Sequence, residues 1–294
     1  MSIGIVQKES QYTTDASPSW NGYNHQGKVG IYVALKMINK LNLNFDECKS
    51  YELELEWLED FSIKKNGNYV SIHQVKTYDS TAPSDYKDAI WLILAKLLDF
   101  SHIEKGYLHT TKKLSKLDTL KTDLNNYKPP TEKKKEDDTE EDKKKDDTKK
   151  KKKKATQKYR TPKECHDYVK GSNRYDEAFS KFEVYTYDDS SQHCDMNEVE
   201  QKIKNQLTII KTDFSTQEHL DRAYLYLLGM VDMNIRERHT DIQSGEKKKK
   251  ATINFQNIYS IAITNYEISS KEYVIYNLRN RFNKLKDEYL EDLM

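Results

Sequence analysis

Three residues carry types and spacing that could do chemistry: Asp60, Gln74 and Lys76. Asp60 closes "ELEWLED". Gln74 and Lys76 flank Val75 in "QVK", and the turn-like "KKNG" lies between the two runs. In a strand, residues two apart share a face, so Gln74 and Lys76 point the same way while Val75 points into the core. On the preceding run Glu54, Glu56 and Asp60 share parity. If no bulge intervenes, a hairpin then brings Asp60 beside Gln74 and Lys76. One carboxylate, one amide oxygen and one ammonium would share a small volume. Carboxylate plus carbonyl oxygen is hard-ligand chemistry, suited to Mg²⁺ or Mn²⁺. The lysine could orient an attacking water or stabilise charge on a pentavalent phosphate. The reaction implied is phosphodiester hydrolysis. Acid–lysine pairs across hairpins also occur as plain surface decoration, so spacing alone leaves both readings open.

The elements that must position these residues read as α/β. "SWNGYNHQGKVGIYVALKMINKLN" spaces Ile31, Leu35, Ile38 and Leu41 as in a helix. In "ELELEW", Leu53, Leu55 and Trp57 alternate with Glu52, Glu54 and Glu56, which predicts a strand with one apolar and one acidic face. "YVSIHQVK" is a second strand, and Asn66-Gly67 a strong hairpin turn signal, because Gly accepts positive φ without steric cost. Pro83 and Ser84 introduce "DYKDAIWLILAKLLDF", apolar nearly all round and therefore a buried helix. "GYLHTT" at 106–111 reads as a third strand. The order suits a mixed sheet flanked by helices.

Residues 131–158 hold thirteen lysines and nine acids, so 22 of 28 positions are charged and none is large and apolar. Such a segment cannot bury enough apolar surface to offset the entropy of ordering it. It predicts a disordered linker at 129–158 between a domain at 1–128 and a mainly helical domain at 159–294. The second domain opens with a strand, "KFEVYTYDD". Helices follow, with Val199, Ile203, Leu207 and Ile210 on one face, Ser215 and Glu218 at capping-box spacing, and Val274, Leu278, Phe282, Leu285 and Tyr289 in line near the end. Lysines 149–154 read either as a DNA-tethering arm or as the basic end of a solvated linker.

Across its 294 residues the chain has a net charge of +1, so global charge gives no argument for nucleic-acid binding; any such argument must be local. The three cysteines, Cys48, Cys165 and Cys194, are far apart and form no CxxC pair, which suits a reducing compartment. Cys165-His166 and His193-Cys194 could in principle combine around zinc, although the spacing resembles no common metal knuckle. "MSIGIVQKESQYTTD" lacks the regions of a secretory signal, and "AIWLILA" is too short to span a bilayer. The default expectation is a soluble, cytoplasmic protein with no membrane association.

The order of the helix with "GYNHQG", the acidic strand with "EDFSI", the strand ending "IHQVKTY", the buried helix and "GYLHTT" resembles the PD-(D/E)XK nuclease superfamily over residues 18–112. It is most similar to the branch with Gln at the second acid position. The resemblance implies a restriction-endonuclease-like sheet, with Asp60 as the metal-binding acid, Gln74 at the variable acid position, Lys76 as the catalytic lysine and Mg²⁺ or Mn²⁺ as cofactor. Gln26 matches a polar residue that the first helix contributes to such sites; as plain sequence it is equally a solvated helix-start residue. Glu54 or Glu56 could supply a second metal contact, or both could solvate a strand face. Gln74 departs from the parent motif and brings no charge. His73 has the opposite parity to Lys76 and reads as structural.

"FEVYTYDDSSQHCDMNEVEQKI", "HLDRAYLYLLGMVDMNIRERHTDIQ" and "INFQNIYSI" resemble, over roughly 180–265, the C-terminal domain of ABC-three-component defence proteins. Together the two resemblances point to the nuclease subunit of Lamassu-type anti-phage systems. They imply a double-stranded-DNA endonuclease held inactive by an SMC-like (Rad50-like) ATPase and in some systems a small third subunit, and active as a homo-oligomer. Arg236, Glu237, Arg238 and His239 read as structural or partner-facing residues at a helix end. The competing reading is a non-catalytic DNA-binding or adaptor subunit on a nuclease-like fold.

Overall fold

The computed structural model describes residues 17–127, 161–212, 217–243 and 251–264. Helix α1 (Ser17–Lys40) is followed by strands β1 (Tyr51–Leu55), β2 (Phe61–Lys65) and β3 (Asn68–Lys76), then helix α2 (Lys87–Asp99) and strand β4 (Lys105–Thr110). Next come α3 (Leu120–Asn126), α4 (Pro162–Gly171), α5 (Tyr175–Ser180), β5 (Phe182–Val184), α6 (Glu198–Ile210), α7 (Gln217–Gln243), β6 (Ala251–Asn254) and α8 (Phe255–Ile263). The charged segment and the line of residues 274–289 lie outside the described residues, as does Ser215.

The strands form one mixed sheet in the order β5-β4-β3-β2-β1-β6. β1, β2 and β3 are antiparallel neighbours, and β4 runs parallel to β3 with Gln74 opposite Leu108 and Lys76 opposite Thr110. The β2–β3 hairpin closes on Asn66 and Gly67 at φ 51° and 79°, the pair of positive φ values that a type I′ turn needs. β5 and β6 extend the two edges of this sheet. The expected boundary at 128/159 therefore does not separate two cores. Chain from beyond the charged segment completes the sheet, because β4 and β1 would otherwise leave unpaired backbone along two long edges.

Each sheet face has its own core. On one, α1, α6, α7 and α8 cover Leu53, Leu55, Phe61, Ile63 and Val75. On the other, α2, α4 and α5 cover Ile72 and Leu108. α2 buries Ala89, Ile90, Trp91, Ile93, Leu94, Ala95, Leu97 and Leu98, as its unbroken apolar composition predicts. The close fit of α2 to β4 uses Gly106: a Cβ there would lie 2.5 Å from Ile93 Cγ2. The sites in α6 also fall as expected, with Val199, Ile203 and Leu207 buried. Arg236 and Glu237 do not sit at a helix end, because α7 continues to Gln243. Arg236 is exposed and reaches Asp232 at 3.9 Å, one turn away.

Candidate functional site

The alternation of "ELELEW" stops at Leu55. Glu56 adopts φ 52°, and its N–H donates to the Asp60 carbonyl at 2.9 Å, closing a short loop over 56–60. Strand parity therefore does not carry from Glu54 to Asp60; the loop sets where Asp60 points. The Asp60 carboxylate accepts the Val75 N–H at Oδ2, at 2.7 Å, bridging the start of β2 to the end of β3. Burial pushes its pKa up, opposed by the Val75 N–H, by the ammonium groups of Lys76 and Lys96, and by the nearby Gln26 side chain.

Lys76 and Gln74 lie on the α2 face of β3. The Gln74 amide orientation is assigned from its neighbours: with its nitrogen turned to the Ala89 carbonyl it donates at 3.1 Å, and its oxygen then accepts from Lys76 Nζ at 3.3 Å. α2 therefore pins the amide nitrogen and leaves the oxygen facing the lysine. Gln26 approaches Asp60 from α1, on the other face. Its Oε1 is buried and has no hydrogen-bond partner, whereas such groups are nearly always satisfied in a folded interior. Gln26 is therefore not a solvated helix-start residue: it lies well inside α1, partly buried, near Asp60.

Two further residues complete the cluster, and neither was singled out from sequence. Glu59 is buried beside Asp60, and its Oε1 pairs with Lys96 Nζ at 2.7 Å; Lys96 also donates to the Leu58 carbonyl. Burial raises the Glu59 pKa, Lys96 opposes that shift, and the neighbouring Asp60 carboxylate reinforces it. The signal for Lys96 was present: it is the one cation inside "AIWLILAKLLDF", and a lysine on a wholly buried helix must find an anion.

Glu54 stands apart from this cluster. Glu54 is fully buried, with Oε1 on Lys64 Nζ at 2.8 Å and Oε2 accepting from Tyr69 Oη at 2.7 Å. It neither solvates a strand face nor turns toward Lys76. Glu56 occupies the left-handed corner of the loop. His73, on the opposite face from Lys76, belongs to a buried chain: Ser71 Oγ–His73 Nε2 at 2.7 Å, His73 Nδ1–His109 Nε2 at 2.9 Å and His109 Nδ1–Tyr187 Oη at 2.8 Å. Burial lowers the His73 pKa to about 3 and drives that of His109 well below its ordinary value. Both rings are neutral, so each can donate from one nitrogen and accept at the other along a one-way chain. His73 is structural, as its parity predicts.

The oxygen donors in this region are the Asp60 carboxylate, the Gln26 amide oxygen near it and, at the end of β3, the Gln74 amide oxygen against Lys76 Nζ. That donor set is hard and fits Mg²⁺ or Mn²⁺ in kind. Among the described residues no three His, Cys, Asp or Glu side chains gather as a metal site, so protein charge at this centre is low. Cys165 and Cys194 lie in the cores of opposite sheet faces and cannot share an ion.

Residues 182–294 match the family model of C-terminal domain 1 of the ABC-three component (ABC-3C) systems. The chain thus carries an ABC-3C-type C-terminal domain, and the match begins at the first residue of β5. Neither a curated protein nor a solved structure matches the chain. Among the described residues no helix is long and apolar enough to cross a membrane.

Proposed function

We propose that this chain, as a component of an ABC-three-component anti-phage system, is a metal-dependent DNA endonuclease whose site is built on Asp60, Gln74 and Lys76. The supporting observation is convergence. A loop brings Asp60, helix α1 brings Gln26 and the end of β3 brings Gln74 and Lys76 to one end of that strand, and Gln26 Oε1 is left buried without a partner. A purely decorative hairpin needs neither the buried carboxylate nor the orphan oxygen.

In this reading Asp60 is the anionic ligand of a Mg²⁺ or Mn²⁺ ion, with the oxygens of Gln26 and Gln74 completing the protein's share. When bound, the ion would polarise the scissile phosphodiester and hold its non-bridging oxygens. Asp60 must be ionised to bind a cation, yet burial favours its protonated form. Metal uptake is therefore expected to weaken in acid. Lys76 sits against the Gln74 oxygen, where it can hold an attacking water and stabilise the negative charge that develops on phosphorus. Water adds to phosphorus and one P–O ester bond breaks. The Glu59–Lys96 pair ties the loop carrying Asp60 to α2 and keeps the carboxylate on Val75. With Glu59 tied to Lys96, Asp60 is the one carboxylate of the cluster left for a metal, so DNA phosphates must supply the remaining negative ligands, which makes metal and DNA binding mutually dependent.

The partners proposed are double-stranded DNA, an SMC-like ATPase and a homo-oligomeric active state. A partner-bound resting form is expected to be quiet, since unspecific cleavage would harm the host. The test is Lys76→Ala in a plasmid-nicking assay with Mg²⁺ or Mn²⁺, with and without the partner complex. Loss of cleavage with unchanged melting temperature and partner binding supports an enzyme. Cleavage at wild-type rate in a preparation free of contaminating nuclease refutes it. Gel shifts without metal-dependent nicks in the wild type would favour the adaptor reading.

A further inference from the structure

A cavity lies on the α1 face, at the opposite end of β3 from Asp60. Its volume is about 520 Å³, within the range of small-molecule sites. Its walls come from the last turns of α1, the start of β1 and end of β2 beside the β2–β3 turn, the starts of β3 and β4, and β5 with the segment after it. Ser71, at its floor, is five residues from Lys76, roughly 16 Å along an extended strand. The two sites are therefore separate in space and on different faces.

The lining has two chemical parts. One is apolar and aromatic. The Tyr107 ring stacks on His73 (centroids 5.0 Å, 26°) and meets Tyr185 edge-on at 5.2 Å, with Met37 packed opposite from α1. The other is a cationic rim. Lys40 and Lys65 are exposed there, and among the described residues neither is paired with an acid. The acids of the rim are Glu104 and Glu183, and Glu183 is paired with Lys105. Lys36 is held at the far wall, donating to the Thr186 carbonyl at 2.9 Å. The floor adds no charge, because burial keeps His73 neutral. Flat π surfaces in a pocket, with two ammonium groups at its mouth that no described acid neutralises, Lys65 lying over the Tyr51 ring at 5.2 Å, fit a planar aromatic ring carrying an anionic group.

We propose that this cavity binds a nucleotide unit, with its base against Tyr107 and Tyr185 and its phosphate on Lys40 and Lys65. The unit could be a free nucleotide or the end of a nucleic-acid strand; both present the same base-plus-phosphate chemistry. Aromatic rings accept any base face, and lysines accept phosphate as point charges, so selectivity among bases is expected to be shallow.

The test is calorimetric titration of the full chain in EDTA, which removes metal-assisted binding at Asp60. The probes are ATP, GMP, a single-stranded dT10 oligonucleotide, unphosphorylated adenosine and inorganic phosphate. Binding of at least one phosphorylated probe, tighter than adenosine or phosphate alone, is expected. Preference for ATP or GMP assigns a free nucleotide, and preference for dT10 a strand end. Each charged contact is worth enough that Lys40→Glu with Lys65→Glu should weaken binding by about tenfold or more. Met37→Trp, which fills the cavity from α1, should do likewise. Lys76→Ala should leave binding unchanged. Absence of binding at millimolar probe overturns the proposal. So does binding that survives both cavity variants in folded protein, or that is lost in Lys76→Ala instead.

Discussion

The Glu59–Lys96 pair holds the loop that carries Asp60, and its worth can be worked out from the structure. The contact is 2.7 Å, and the two side chains are 4% and 22% exposed. Lys96→Met removes the cation and leaves a buried carboxylate without its partner. Breaking one side of a buried pair costs about 3–5 kcal/mol, and the partial exposure of Lys96 puts this case near the lower end, about 3 kcal/mol. Glu59→Gln keeps an acceptor for the ammonium and should cost less. In the double variant neither partner is stranded, so the cycle should show a coupling of about 1–3 kcal/mol.

The penalty must also depend on pH. Burial raises the folded pKa of Glu59 above its ordinary value of 4.5. A carboxyl raised in this way is easiest to accommodate below the unfolded value, and that ease is lost as pH rises through the folded one. The charge attraction of Lys96 for Glu59 acts only while Glu59 is ionised. The Lys96→Met penalty should therefore be full above the folded pKa and shrink as pH falls toward 4.5. Urea unfolding of the four proteins at pH 8, 6.5 and 4.5 measures this. A coupling below about 0.5 kcal/mol, or a Lys96→Met penalty equal at pH 8 and 4.5, would refute the reasoning.

Asp60→Asn keeps an acceptor for the Val75 N–H and removes a carboxylate whose ionisation burial opposes. Its melting temperature should exceed that of the wild type above the folded Asp60 pKa, with no gain in acid, while metal-dependent nicking disappears. Gly106→Ala places a methyl 2.5 Å from Ile93 Cγ2 and should destabilise by about 1–3 kcal/mol, with Ile93→Val recovering part of the loss in thermal melts. His73→Leu strands Ser71 and His109 in the core; each buried unsatisfied group costs about 1–3 kcal/mol, so a marked drop in urea midpoint is expected.

Much of the architecture was legible in the chain because it rests on local rules. Period-two and helical spacing gave β1, β3, β4, α1, α2 and α6, and Asn66-Gly67 gave the hairpin, since these patterns need only one buried face. The shared face of Gln74 and Lys76, and the opposite face of His73, follow from strand geometry alone. The approach of Asp60 did not follow from parity, because Glu56 turns left-handed and a loop replaces the strand. Glu54 was ambiguous in sequence and became a buried ion pair once Lys64 and Tyr69 were placed beside it. The charged segment marked a break in composition, yet β5 and β6 return to close both edges of the first sheet. Strand pairing across that distance is set by hydrogen bonds between remote backbones, which no local pattern records. The types of the chemical groups were therefore fixed by sequence, and their companions, Glu59, Lys96 and the orphan oxygen of Gln26, were decided by tertiary packing.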